Sequence, residues 1–157
     1  MSFPVGLKLE DFLRSARAEK LKLLNAPTPE HHEALIALAW VIGKPVLDHF
    51  GTRSFVVTSG YRSPELNKET PGSSVTSQHS RGEAMDIVCS GDGITNAALF
   101  RFIAARLPFD QLIWEYGTDK EPQWVHVSYA NKRKGRRMIL RCVKDKHGNP
   151  KYSQWTP

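Results

Sequence analysis

The stretch "EAMDIVC", Glu83 to Cys89, sets a carboxylate inside an apolar run, with Asp86 among Ala84, Met85, Ile87 and Val88. An ionised side chain in a buried strand is costly unless a cation or hydrogen bonds satisfy it. A fold that buries this strand must therefore bring a compensating partner to Asp86. An arginine could do so through a salt bridge, and a metal ion could do so with other ligands. Just upstream, "SSVTSQHSRG" supplies His79, and Gly82 lets the intervening loop fold back with no side chain in the way.

Around this run the pattern is helices first, strands later. Leu9, Phe12, Leu13, Ala16, Leu21 and Leu24 lie near helical spacing and predict a first helix over Leu9 to Leu24. Thr28 as N-cap and Pro29 at the first helical position predict a second, running to His49 or Phe50 and stopped by Gly51. "SFVVTSG" reads as a short strand, and "YRSPELNKE" as a loop with one helical turn begun by Ser63 and Pro64. "EAMDIVC" is a strand. "ITNAALFRFIAARLP" is an amphipathic helix capped by Thr95 or Asn96 and stopped by Pro108. "DQLIWEY" and "QWVHVSY" are strands joined by the turn "GTDKEP", and "RRMILRCVKD" with "PKYSQW" predicts a hairpin around His147, Gly148 and Asn149. The pattern predicts an α+β fold, a central and mainly antiparallel sheet with N-terminal helices and one helix packed on it. The 157 residues suit one domain, 1–157, in which 130–157 forms a basic C-terminal hairpin.

Six histidines are present. His31 and His32 start a helix, His49 ends one where an imidazolium suits the dipole, and His147 sits in a turn, so all four read as structural. In "QWVHVSY", alternation puts Val125 and Val127 on a core face and Trp124, His126 and Ser128 on the other. Alone, His126 would be an exposed or hydrogen-bonded residue. With His79 and Asp86 it completes a three-ligand set of the kind that holds a catalytic zinc and leaves one position for water. Cys89 and Cys142 fit no zinc spacing and read as reduced, structural residues.

"SGYRSPELN", the S-x-H-x-x-G-x-A-x-D spacing from Ser77 to Asp86, and "WVHVS" together resemble the zinc D-alanyl-D-alanine peptidase family. That family shares a fold group with lysostaphin-type peptidases and the hedgehog signalling domain. The resemblance runs from about Thr28 to Tyr129. It implies zinc held by His79, Asp86 and His126 on one sheet face, and a substrate drawn from peptidoglycan stem peptides rich in D-amino acids. It also assigns Arg62 the grip on a substrate carboxylate, a catalytic and binding role whose alternative is a structural arginine holding the loop "PELNKETPG". By position, Ser77 is a donor to the same substrate or a cap of the turn, Tyr61 and Gln123 are further candidate substrate contacts, and Gln78 and Trp124 are candidates for the cleft wall. Several branches carry an acidic residue three positions before the last zinc histidine, where this chain has Gln123. An amide cannot accept the proton of an attacking water. Glu115 is the expected base, because a partner near His126 or Trp124 in an antiparallel pair shares their face. Trp114 and Tyr116 would then point the other way. Glu121 is the reserve, and a cross-strand ion pair is the competing role for Glu115.

The net charge of +6 and a pI near 9.5 favour anionic partners without choosing among them. Lys132, Arg133, Lys134, Arg136 and Arg137 form the densest run, read either as a solvated loop or as a contact with anionic wall polymer or lipid. No specific nucleic acid is expected, since no binding motif accompanies the charge. No transmembrane segment or secretory signal is visible, so synthesis in the cytoplasm and action on the cell wall after membrane opening is the expected itinerary, as for a phage or prophage endolysin. The leading expectation is a zinc endopeptidase of peptidoglycan. A D-Ala-D-Ala carboxypeptidase and a catalytically silent zinc-containing binding module are the alternatives.

Overall fold

Strands β1 (Phe55–Ser59), β2 (Ala84–Cys89), β3 (Gln111–Glu115), β4 (Trp124–Ser128), β5 (Met138–Lys144) and β6 (Pro150–Gln154) form one sheet in the order β1-β2-β4-β3-β5-β6. The structure, a computed structural model, describes residues 1–156. All neighbouring strands are antiparallel except β3 and β5. Period-two alternation then divides the sheet. Met85, Ile87, Leu112, Trp114, Val125 and Val127 point to one face and are fully buried. Asp86, Ile113, Glu115, His126, Leu140 and Cys142 alternate with that set and point to the other.

The apolar face is covered by helices. Helix α6 (Asn96–Arg106) buries Leu99, Phe100 and Ile103, and Phe100 meets Trp114 edge-on with ring centroids 5.2 Å apart. Helix α3 (Pro29–Leu38) and helix α4 (Lys44–Phe50) add Leu35, Leu38 and Val46 to the same core. Each such buried side chain contributes about 1.5–3 kcal/mol. This is the expected α+β architecture, and among the described residues no helix is long and apolar enough to cross a membrane.

Local signals explain most boundaries. Thr28 caps α3 by accepting from His31 N at 3.3 Å, with Pro29 following. Thr95 caps α6 by accepting from Ala98 N at 3.0 Å. Ser63 caps the short helix α5 (Pro64–Lys68) by accepting from Leu66 N.

Two expectations fail. The predicted helix over Leu9 to Leu24 is two short helices, α1 (Leu9–Leu13) and α2 (Ala16–Leu21). Arg14 leaves helical geometry, and the Ser15 hydroxyl starts α2 by accepting from Ala18 N. Asn25 Nδ2 donates to Leu13 O at 2.9 Å, satisfying a carbonyl at the end of α1. The second predicted helix has the expected ends but contains a π turn at Ala39–Gly43 between α3 and α4. Pro45 explains it: proline has no N–H to donate and its ring crowds the carbonyl one turn back, so the helix widens there.

Candidate active site

Each site residue is placed by its own element. Gly60 ends the segment after β1, and its conformation is dictated by close approach: a Cβ there would lie 2.4 Å from Phe12 O in α1. Its carbonyl accepts from His79 Nδ1 at 2.7 Å. A carbonyl can only accept, so Nδ1 carries the proton and Nε2 is left with a free lone pair. His79 itself sits in the single 3-10 turn Gln78–Arg81, started by Ser77 and ended by Gly82 in the left-handed region. A Cβ on Gly82 would strike His31 O at 2.3 Å, so glycine lets this turn pack on α3.

Asp86 and His126 face each other in the β2–β4 ladder. Asp86 Oδ1 lies 3.5 Å from His79 Nε2 and 2.9 Å from His126 Nδ1. Burial alone would raise the Asp86 pKa, but the two imidazoles outweigh it and hold the carboxyl well below the usual carboxylate range. Burial pushes the His79 pKa down, and Asp86 opposes that fall. The coordinating atoms of His79, Asp86 and His126 all lie within 4.8 Å of one another. In a tetrahedral zinc site with bonds near 2.0–2.1 Å, ligand atoms stand about 3.3 Å apart. The observed separations bracket that value. The donor set also suits zinc, and the Gly60 carbonyl is the kind of outer partner that fixes a metal-binding imidazole. The three residues therefore fit the ion.

Glu115 pairs with Trp124 across β3 and β4. It lies on the same face as His126 and Asp86 and is only 6% exposed. Burial pushes its pKa up to about 7, with His126 and Cys142 opposing the rise and Asp86 adding to it. Tyr116 departs from expectation. It takes a left-handed φ of 52° at the end of β3, which returns its ring to the site face, 5.1 Å from Trp124.

These residues line one cleft of about 750 Å³. Arg62 and Ser77 stand on its wall, with Arg62 NH2 donating to Ser77 Oγ at 3.4 Å. Buried Arg62 Nε has no partner among the described residues. Asn25 clamps the backbone on both sides of Arg62: its Nδ2 donates to Tyr61 O at 2.9 Å and its Oδ1 accepts from Ser63 N at 2.8 Å.

Three expected residues lie elsewhere. Tyr61 is not on the cleft: it is 2% exposed in the core, and its hydroxyl meets His31 Nδ1 at 3.3 Å. It follows Gly60, whose backbone is pinned to α1, and Tyr61 N itself donates to Phe12 O. Gln123 is exposed and is not among the cleft-lining residues; its backbone continues the ladder by donating to Glu115 O. Its parity along β4 is opposite to that of Trp124 and His126. Glu121 accepts from Asn96 N and Ala97 N and so caps α6, which removes it as a reserve base. The expected free basic run is also mostly engaged. Lys132 pairs with Glu30, Arg133 with Glu83, Arg136 with Asp110, and Arg137 donates to Leu107 O and Ala104 O.

The cleft also has residues that sequence reasoning missed. Tyr152 on β6 joins the row Trp124, Glu115, Cys142 through the β3–β5 and β5–β6 pairings. Nothing local marks it, because its place depends on β5 lying parallel to β3. Cys142 is a buried, free thiol whose pKa burial and Glu115 push up to about 11, so it is inert in this setting.

Two imidazoles and a carboxylate converging in a cleft, with a buried carboxyl beside them, define a hydrolytic metal site of the single-ion type. A family model described as Peptidase M15 matches residues 5–128, and the chain belongs to that family, the zinc D-alanyl-D-alanine peptidases. Its members are zinc-dependent peptidases that act on peptidoglycan. No curated protein matches the chain.

Proposed function

We propose that the protein is an endopeptidase that cleaves a D-amino-acid-containing bond in peptidoglycan stem peptides, with His79, Asp86 and His126 as its zinc ligands. The carrying observation is the placement of Glu115 across from Trp124, on the face and within the cleft that hold all three ligands. Zinc bound there would lower the pKa of a water and polarise the scissile carbonyl. Glu115, raised toward neutrality, takes a proton from the attacking water and returns it to the leaving amine. Arg62 holds a substrate carboxylate through its guanidinium fork, with Ser77 beside it. Trp124 and Tyr116 form an aromatic wall next to the base.

The endopeptidase reading is favoured over a carboxypeptidase by the length of the cleft. It continues past the ligand row in both directions, to Gln111 at one end and to Tyr116 and Tyr152 at the other. A chain-end trimmer needs room for one residue beyond the scissile bond. An endolysin acting on the wall of a phage host is the setting we propose for this activity. Gln123 in place of an acid favours a silent module, but Glu115 supplies the carboxylate that Gln123 lacks. A nucleic-acid partner has little support, since no binding motif accompanies the basic run. Mass spectrometry of products from a defined cross-linked muropeptide tests the proposal. Internal cleavage is expected; release of a terminal D-alanine alone would make it a carboxypeptidase.

A further inference from the structure

We propose that Arg81, Arg133 and Arg136 form a carboxylate-binding subsite at the Gln111 end of the cleft. It takes an acidic group carried two or three residues from the scissile bond. The inference rests on the peptidase reading and adds a substrate preference to it.

The first observation is one of charge. Glu83 Oε2 accepts from both Arg81 Nε and Arg133 NH2 at 3.1 Å. Asp110 takes Arg136 Nε and NH2 at 3.0 and 2.6 Å, and lies 3.7 Å from Arg133. Three guanidiniums thus share two carboxylates, leaving one positive charge uncompensated. The acids are the inner members. Asp110 is 0% exposed, whereas the Arg133 and Arg136 side chains are 40% and 50% exposed. Among the described residues, Arg133 Nε and NH1 and Arg136 NH1 make no hydrogen bond, so donors remain for an incoming anion. Buried Asp110 and half-buried Glu83 hold these guanidiniums in place before any ligand arrives, which lowers the entropic cost of binding.

The second observation is position. All three arginines line the cleft, as does Gln111. Gln111 stands two residues along β3 from Ile113, the partner of His126. At about 3.4 Å per strand residue the offset is roughly 7 Å, or two residues of an extended peptide. Arg62 lies on the wall after β1 and is a separate contact. Arg133 and Arg136 fall beyond Ser128, where the family match ends, whereas Arg81 and both carboxylates lie within it.

The test uses L-alanyl-γ-D-glutamyl-diaminopimelyl-D-alanine, once with its side carboxylates free and once with them amidated. Binding is measured by calorimetry on the zinc-loaded full chain carrying Glu115→Gln, and turnover on the unsubstituted protein. An Arg–carboxylate pair of this exposure predicts roughly two- to fivefold tighter binding of the acid form. Arg133→Gln should abolish that ratio in a chain whose far-UV spectrum and zinc content match the parent. Arg81→Gln should reduce it in the same way, and Lys134→Ala should not. Equal binding of the two forms, or a ratio that survives Arg133→Gln, overturns the subsite. So does loss of the ratio in Lys134→Ala, which would indicate general charge attraction. Hydrolysis without acid preference removes the subsite and keeps the peptidase. Arg133-dependent acid binding with no hydrolysis by any zinc-loaded protein keeps the subsite and removes the peptidase.

Discussion

Glu115 stands directly across from Trp124 in the β3–β4 ladder, which turns its carboxyl toward the face carrying Asp86 and His126. A carboxyl that is 6% exposed and shifted to about 7 is poorly suited to stabilising the fold. Its position is better explained by proton transfer, and its removal should separate stability from activity.

Glu115→Gln should lower kcat/KM by about 10²–10⁴-fold with metal content unchanged. The working base is the ionised form, so the parent enzyme should lose activity as pH falls, with an apparent pKa at or below about 7 because a bound cation draws it down. The stability effect has the opposite sense. A folded pKa above the unfolded 4.5 means that ionisation costs stability as pH rises from about 4.5 through 7. At pH 8 the chelated Glu115→Gln protein should therefore melt higher than the chelated parent. A lower midpoint would show that the carboxylate is a structural partner.

Gly60→Ala should damage the metal site without touching a ligand. The added Cβ meets Phe12 O at 2.4 Å, so the backbone must shift and carry with it the carbonyl that holds His79 Nδ1. Strain of this kind costs about 1–3 kcal/mol, and loss of an outer partner weakens metal binding about 10–100-fold. Zinc affinity by competition with a chromophoric chelator reads the second effect, and unchanged affinity would refute it.

Asn25→Ala should act on Arg62 from behind. The Asn25 amide holds Tyr61 O and Ser63 N on either side of that arginine, together with Leu13 O. Loss of these bonds should destabilise the chain by about 1–3 kcal/mol and raise KM more than it lowers kcat. A fall in kcat at constant KM would contradict a positioning role.

These predictions show which parts of the molecule were legible in the residues. His79, Asp86 and His126 announce themselves by type and spacing, whereas the side occupied by Glu115 depends on the β3–β4 register, which the unbroken apolar run Leu112 to Trp114 does not fix. The misplaced residues fail for longer-range reasons. Tyr61 is expected on the cleft, yet contact with α1 turns it inward. Tyr116 breaks alternation through a left-handed φ that only the Gly117 turn demands. Tyr152 reaches the site through a parallel β3–β5 pairing, a register with no local signature. The split at Ser15 was readable as a cap but was overridden by the longer apolar period.

Asp110 predicts an acid-sensitive fold. Hydrogen bonds from Arg136 hold its carboxyl down to about 2, against 3.8 unfolded. The resulting stability is complete above about pH 4–5 and is lost as pH falls from about 3.8 toward 2, a contribution of about 2 kcal/mol. Denaturant midpoints across that window should fall in the parent. In Arg136→Gln, which already lacks the pair, they should start lower and fall less. Parallel slopes would mean that other carboxylates govern acid unfolding.

The proposed function requires that a metal held by His79, Asp86 and His126 drive peptide hydrolysis. Metal analysis and muropeptide hydrolysis should be measured together on the parent and on His126→Ala. The parent should carry about one zinc per chain and lose activity on chelation and regain it with zinc, and the variant should show neither zinc nor activity. A zinc-loaded parent that leaves stem peptides of every wall chemistry intact, or a His126→Ala protein that still cleaves them, would contradict it.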